Sequence, residues 1–193
     1  MIDLSPTKEF YNLFVHIFEH YNKTLFDSIL NNPMIIVTRK SSVAGYYCPR
    51  RWTNFNKTEL VDEIAINPEI FSKNPINEIC QTIVHEMCHQ WQHNFGKPSR
   101  SGYHNKEWAD KMEEIGLMPS TTGNVGGNKT GQNMSDYIII GGLFDISTKN
   151  LITKDIFKKL YFDTNNSSKD FIEEEQTVDL NYQNSSSVKL THE

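Results

Sequence analysis

The segment His85-Glu86-Met87-Cys88-His89 places two histidines four residues apart, with a glutamate directly after the first. Residues four apart lie on one face of an α-helix, so both imidazoles can bind a single Zn²⁺ ion. Glu86 then lies beside the open coordination position and is not itself a ligand. The spacing therefore predicts a metal site with a carboxylate placed for proton transfer.

The chemistry that this segment favours is peptide hydrolysis, which needs a nucleophile stronger than water and a positive charge beside the developing oxyanion. Zinc supplies both, because it lowers the pKa of its bound water to about 7. A carboxylate beside that water can accept its proton and pass it to the leaving amine. Glu86 is therefore predicted to be the general base of a zinc metallopeptidase with the HExxH arrangement.

The surroundings of the segment favour a helix, which matters because so short a motif can also arise by chance. Asn74-Pro75 is a typical helix start and Gly96 a typical helix end. The apolar side chains at helical spacing are Ile76, Ile79, Cys80, Ile83, Val84, Met87 and Trp91. A core histidine would lie within this stripe, whereas His85 and His89 are expected on roughly the opposite side.

A catalytic zinc site usually has three protein ligands and one water, so a third ligand is needed. The metzincin pattern would put a histidine ten residues after His85, where Phe95 stands, and a glycine where Gln92 stands. The metzincin class is therefore excluded. His93 lies one turn beyond His89, but three ligands along one straight helix would not surround the ion. We expect His93 to be a surface histidine.

Residues 102–108 read Gly-Tyr-His-Asn-Lys-Glu-Trp, and their histidine follows His89 by fifteen residues. Together with the HExxH segment, this stretch resembles the SprT-like domain, found in bacterial and phage relatives of the Spartan DNA–protein crosslink proteases. In that family a His-Gly-Lys-Glu-aromatic segment at this distance supplies the third zinc ligand. The resemblance implies that His104 completes a Zn²⁺ site with His85 and His89.

Further stretches resemble the same family, so that the resemblance covers about residues 10 to 140. These stretches are 45–52, 62–68, 116–123 and 130–132. Asn105 stands where the family usually has glycine, and asparagine tolerates left-handed and capping conformations. The implied fold is α+β: a zincin-like metallopeptidase domain with an N-terminal helix, a small antiparallel sheet and the HExxH active-site helix.

Other side chains near His104 leave alternatives open. Trp108, four residues further on, is expected to pack behind His104, although an ordinary core tryptophan would have the same spacing. Glu107 could serve as an oxygen ligand if His104 does not bind the metal. Tyr103 could donate a hydrogen bond to an oxyanion.

The remaining histidines and the cysteine of the motif have simpler interpretations. His16 and His20 are also four residues apart, but no glutamate follows the first, so we expect surface histidines. His192 lies in a polar C-terminal stretch and is not expected to bind metal. Cys88 is expected to be a small packing residue.

Periodicity and turn signals predict the elements that position these residues. They are a helix over 6–30, strands over 34–38, 43–48 and 62–67, a helix that His104 opens and Gly116 ends, a loop over 121–132, a strand over 136–140 and a helix over 151–162. One of the first three strands is expected to hold an extended substrate through backbone hydrogen bonds.

The domain organisation follows from the same elements and from composition. We expect a metallopeptidase domain over 1–145 and a C-terminal extension over 146–193, flexible from Asp163 onward. Some SprT-like proteins carry a C-terminal zinc ribbon, but this sequence has no Cys-x-x-Cys pair with which to build one.

Charge and hydropathy bear on the cellular compartment and on the partners. No apolar run approaches the length of a membrane span, and Asp3 and Glu9 are untypical of a signal peptide, so we expect a soluble, cytoplasmic protein. The 3 cysteines agree with a reducing compartment. A net charge of −5 argues against binding DNA with the whole surface.

A local basic patch remains compatible with this net charge. It would consist of Arg39, Lys40, Arg50 and Arg51 on neighbouring strand ends, with Tyr46, Tyr47 and Trp52 nearby. Such a patch could bind single-stranded DNA by stacking bases on the aromatic rings. An ordinary solvated strand edge explains the same charges equally well.

The preferred interpretation is an SprT-like zinc metalloprotease with His85, His89 and His104 on Zn²⁺ and Glu86 as general base. By the resemblance, its substrates would be DNA-associated proteins. The alternative is a zinc-stabilised DNA- or protein-binding module without significant proteolysis, although a structural site has no use for Glu86. A zinc hydrolase acting on something other than protein is a second alternative.

Overall fold

Four α-helices and two small sheets form an α+β fold in the computed structural model, which describes residues 5–40, 43–71, 73–153 and 155–163. In chain order the elements are α1 (Pro6–Leu25), β1 (Met34–Val37), β2 (Gly45–Thr53), β3 (Leu60–Ile66), a 3₁₀ turn (Pro68–Ile70), α2 (Ile76–Phe95), α3 (Lys106–Glu114), β4 (Leu117–Ser120), β5 (Ser135–Ile138), α4 (Leu143–Ile152) and a second 3₁₀ turn (Ile156–Lys159). No helix among the described residues combines the length and the apolar character needed to cross a membrane.

The C-terminal part of the chain is only partly described. The predicted flexible tail begins at Asp163, and everything in it after Asp163, including His192, lies outside the described residues. The predicted boundary at residue 145 falls within α4. The division of the chain into a domain and an extension therefore stays a prediction.

Helix α2 runs through the middle of the fold, and side chains on nearly all of its faces are buried. Ile79, Ile83 and Met87 belong to the hydrophobic core, as their spacing predicts. His85, on the other side of the helix, and Glu86, seven residues after Ile79, are fully buried as well. The histidine face is thus largely buried, with His89 half-buried.

The ends of α2 lie close to the predicted ones. Pro75 takes the N-cap position with an extended backbone (ψ 157°), so the helix begins one residue later than the Asn74 cap predicts. Gly96 follows the last helical residue, as expected. The predicted helix around residues 85–89 is therefore confirmed, with its start shifted by one residue.

The larger sheet has the strand order β1-β3-β2 and is mixed. Strands β2 and β3 form an antiparallel hairpin, whereas β1 and β3 are parallel. Strand β2 runs opposite to β1, and β3 runs opposite to β2. Strand β3 therefore runs in the same direction as β1, beside which it lies. The prediction of a purely antiparallel sheet is therefore wrong. The second sheet, β4 and β5, is antiparallel, and its first strand was not predicted.

The basic residues predicted to share a patch lie in two separate places. They are Arg39, Lys40, Arg50 and Arg51. The Lys40 carbonyl accepts a hydrogen bond from the Asn67 side chain (3.1 Å), just beyond one end of β3. Arg50 lies in a bulge of β2 with φ +50°, and its N–H donates to Asp62 (2.8 Å) near the other end. Five residues of strand separate these positions by about 16 Å, so the prediction of neighbouring strand ends is wrong.

Helix α1 ends at Leu25, earlier than predicted, because the chain turns back on it. The Asn22 side chain donates to the Leu30 carbonyl (2.9 Å) and accepts from the Leu30 N–H (3.1 Å). The apolar face of α1 is buried in the core, as its periodicity predicts.

Helix α4 lies earlier in the chain than the helix predicted over 151–162, which is wrong. Gly142 is its N-cap, and the Asp145 carboxylate accepts the Gly141 N–H (2.8 Å), so the Gly-Gly pair starts a helix. The helix packs on α1, where the Tyr21 ring stacks on Phe144 with centroids 5.6 Å apart. This contact buries Phe144 in the core.

We predict that Gly116→Ala destabilises the fold more than Gly126→Ala. Both glycines have nearly the same positive φ, +95° and +94°. That backbone conformation should cost each alanine about 1 kcal/mol. A Cβ at Gly116 would also lie 2.7 Å from the Phe144 backbone nitrogen, whereas a Cβ at Gly126 would meet nothing within 4 Å. Urea unfolding should show an extra loss of about 2 kcal/mol for Gly116→Ala. Equal losses for the two variants would contradict this packing.

Candidate metal centre

Three histidine side chains converge beside the middle of α2. His85 and His89 come from α2 itself, one turn apart. His104 precedes α3 and is held by an isolated bridge to Gly131, with backbone hydrogen bonds of 2.8 and 3.1 Å. One ring nitrogen of each histidine lies within 4.8 Å of the other two. The group could hold a metal ion.

Hydrogen bonds turn two of the imidazoles toward the group. His85 Nδ1 donates to Asp136 Oδ2 (2.8 Å), and His104 Nδ1 donates to the Gly131 carbonyl (3.2 Å). In these tautomers the Nε2 atoms carry lone pairs and can act as metal ligands. Burial beside His85 lowers the pKa of His104 to about 3, so its imidazole is neutral.

The distances within the group suit a small tetrahedral ion. The Nε2 atoms of His89 and His104 lie 3.1 Å apart. Zinc–nitrogen bonds of about 2.0–2.1 Å put two ligand nitrogens of a tetrahedral site about 3.3 Å apart. His89 and His104 are therefore spaced as two ligands of a tetrahedral Zn²⁺ ion would be, within a group of three histidines that could hold a metal ion.

Trp108 forms the packing support behind this group. It is fully buried, and its ring centroid lies 4.3 Å from that of His104, 4.9 Å from His85 and 5.4 Å from His89. The prediction that Trp108 packs behind His104 is confirmed. Because one rigid indole contacts all three imidazoles, it restricts the rotation of each ring.

The segment around His104 differs slightly from its prediction. Helix α3 begins two residues after His104, and Asn105 is its N-cap, with Oδ1 accepting the Trp108 N–H (3.1 Å). Capping is one of the two roles expected of asparagine at this position. The cap fixes His104 and Trp108 relative to each other.

Glu86 is buried beside the histidines with no exposed surface. Burial raises the pKa of its carboxyl to about 7, although His85 and a backbone hydrogen bond from Tyr47 favour the charged form.

Gly45 allows β2 to run close to α2 beside Glu86. A Cβ at Gly45 would lie 3.0 Å from Thr82 Cγ2 and 3.5 Å from Glu86 Cγ.

The alternative third ligands are placed elsewhere. The Glu107 carboxylate accepts the Lys97 N–H (2.6 Å) and the Gln92 side-chain N–H (2.9 Å), which fixes it at the base of the loop between α2 and α3. His93 is half-buried rather than at the surface, but it is not part of the histidine group. Cys88 is fully buried in the core, as expected of a packing residue.

The two histidines predicted to lie on the surface of α1 have different environments. His16 is exposed, as expected. His20 is half-buried, and its Nε2 lies 2.9 Å from Ser147 Oγ on α4. His20 therefore joins two helices, and the prediction of a surface histidine is wrong for it.

A cavity of about 310 Å³ opens in front of the group. One wall is β2, with Tyr46, Tyr47 and Pro49. The other wall is the loop over 98–103, and the floor includes Glu86, His89 and His104. Tyr103, in this loop, lines the cavity.

Asp136 and Gly131 are site residues that the sequence did not reveal. Asp136 orients the ring of His85, 51 positions earlier in the chain, and Gly131 orients the ring of His104, 27 positions earlier. Gln81 in turn holds Asp136, donating to its Oδ1 (2.6 Å) and to its carbonyl (2.9 Å). Only a general rule indicates that such residues exist: histidines that bind a metal usually donate their second N–H to a carboxylate or a carbonyl.

Comparisons with known proteins identify a family. The model of the SprT-like family matches residues 14–127, more than half of the chain. The searches of curated proteins and of solved structures found no match. The matched residues include the histidine group and Glu86, whereas Gly131 and Asp136 lie after them. The chain therefore belongs to the SprT-like family, and the resemblance predicted from its motifs is confirmed.

Proposed function

We propose that this protein is a zinc-dependent metallopeptidase. The observation that carries the proposal is the convergence of His85, His89 and His104 beside the buried Glu86, at the floor of an open cleft. A purely structural metal site would need neither an open cleft nor a carboxylate beside the ligands.

In peptide hydrolysis, the bound metal and two side chains would have different roles. Bound Zn²⁺ would supply a Lewis acid that makes water a stronger nucleophile and stabilises negative charge. Glu86 would accept the proton of the attacking water and deliver it to the leaving amine, since it is buried beside the histidine group. Tyr103, in the wall of the cleft, would donate a hydrogen bond to the developing oxyanion.

The cleft suits an extended polypeptide. Strand β2 is an edge strand of the larger sheet and forms one wall, so a substrate can lie alongside it. The Tyr47 N–H lies near enough to Glu86 to lower the pKa of its carboxyl, and Pro49 has no N–H to donate. Along this stretch, side-chain contacts therefore contribute more of the substrate binding than a regular strand ladder would.

DNA-associated proteins are the substrate class that family membership favours, by association rather than by chemistry. The nearest support in the structure is the β2–β3 hairpin, where Arg50, Arg51 and the partly exposed Trp52 continue from the cleft wall. A short basic and aromatic strand end of this kind can bind single-stranded DNA. Arg39 and Lys40, near the other end of β3, would not share that contact.

The same hairpin supports the second candidate function, a zinc-stabilised binding module. Phe55 at its turn is fully exposed, Leu60 is largely exposed and Trp52 is partly exposed nearby. Exposed aromatic side chains of this kind are typical of partner-binding surfaces. The two candidates differ in what they require of Glu86.

Glu86→Gln should abolish cleavage and leave the zinc content and the melting temperature nearly unchanged. The amide keeps the shape of the carboxylate but cannot accept the proton, which should cost about 100-fold or more in rate. We would measure digestion of an unfolded DNA-binding protein with and without single-stranded DNA. If wild type and Glu86→Gln bind zinc and partners alike and neither cleaves, the binding module is the correct function.

His104→Ala should lose bound zinc, whereas His93→Ala should keep it. His104 belongs to the group of three and His93 does not, although both line the cleft. Mass spectrometry of the native protein should find one zinc per wild-type chain and per His93→Ala chain. An unchanged zinc content in His104→Ala would show that the third ligand is a different residue.

Asp136→Asn should weaken zinc binding about 10- to 100-fold, because His85 loses the carboxylate that orients its ring. Asp110→Asn is a matched control, since Asp110 pairs with Lys106 at the surface of α3. Competition with a chelator of known affinity measures both variants. Equal zinc affinity for Asp136→Asn and wild type would mean that the hydrogen bond to His85 does not support the metal.

A further inference from the structure

The loop between α2 and α3, residues 98–103, forms a whole wall of the cleft and is held firmly at its base. Asn105 Nδ2 donates to the Lys97 carbonyl (3.1 Å), and Glu107 accepts the Lys97 N–H (2.6 Å). Gly96 lets these groups approach, because a Cβ there would lie 2.6 Å from the Glu107 carboxylate. The two ends of the loop are therefore fixed relative to the histidine group.

Within this loop, a tight turn fixes the position of Arg100. The Tyr103 N–H donates to the Arg100 carbonyl (3.1 Å), and Gly102 has φ +69° at the third position of the turn. A positive φ at this position is what a type II turn requires. The turn places the guanidinium over the Tyr103 ring, 5.4 Å from its centroid.

Charge within the cleft is unevenly distributed. Among the described residues that line the cavity, Arg100 alone carries a permanent positive charge, and Glu86 carries the carboxylate. No carboxylate of a described residue forms an ion pair with Arg100, whose side chain is exposed to the cleft and to solvent. The planar guanidinium keeps donors available for a bidentate contact with a carboxylate.

We infer that Arg100 determines substrate specificity by binding an acidic side chain of the polypeptide close to the scissile bond. The inference rests on the proposed peptidase function and adds a substrate preference to it. An extended chain between β2 and the loop passes Arg100 as it crosses the histidine group. Its aspartate or glutamate side chain would meet a cation that is already held in place by the turn and by the Tyr103 ring.

The test is to map cleavage sites in a mixture of random-sequence peptides by mass spectrometry. Wild type should cut preferentially where Asp or Glu occupies one fixed position near the cleaved bond. Arg100→Glu should lower that enrichment about three- to tenfold and favour Lys or Arg instead. Arg100→Lys should retain part of it, since the charge remains but the bidentate geometry is lost.

Lys97→Glu is the matched control, because it makes the same change of charge at the base of the loop without lining the cavity. It should keep the wild-type preference. The inference is overturned if wild type shows no acidic preference, or if Arg100→Glu leaves that preference unchanged. Cleavage at a fixed distance from peptide C-termini would instead assign Arg100 to the terminal carboxylate and would also overturn it.

The outcome separates this inference from the proposed function. If wild type cleaves the peptides but without dependence on Arg100, the peptidase function stands and the specificity assignment is wrong. If wild-type protein with a full zinc content cleaves nothing, the proposed function fails and the inference fails with it. If Arg100→Glu weakens the binding of single-stranded DNA but leaves the cleavage pattern unchanged, the inference is wrong and Arg100 binds DNA phosphate instead.

Discussion

The contact between His89 and His104 is the constraint on which the site depends, because their Nε2 atoms lie only 3.1 Å apart. Two imidazole nitrogens must be held at this distance by the surrounding chain. The bridge to Gly131 holds His104, the helix holds His89, and Trp108 packs against both rings. The second sheet and α3 thus serve to bring one side chain to α2.

Local spacing was sufficient for the part of the site that lies on one helix. His85, Glu86 and His89 are fixed relative to one another by helical geometry, so a short segment predicts their arrangement. His104 needed the family pattern, because no physical rule links it to the helix fifteen residues earlier. Asp136 was not found at all, since its contact with His85 depends on how β5 packs against α2.

The errors in the predicted fold have the same origin. The parallel pairing of β1 with β3 and the separation of Arg39 from Arg50 both follow from strand order and register. The periodicity of a single strand predicts neither the strand order nor the register. Helix α4 was misplaced because Gly141-Gly142 is typical of a loop, and the buried Asp145 that accepts a hydrogen bond from it became visible only in the structure.

The position of Asp136 in the chain has a consequence for what counts as a complete unit. The family match ends at residue 127, yet the carboxylate that orients His85 lies beyond it, as does Phe144, which stacks on α1. A fragment cut at the end of the match would keep all three histidines but lose a strand that steadies one of them and a helix that covers the core. The part of the chain that surrounds the histidine group and closes the core is therefore longer than the part that the family model matches.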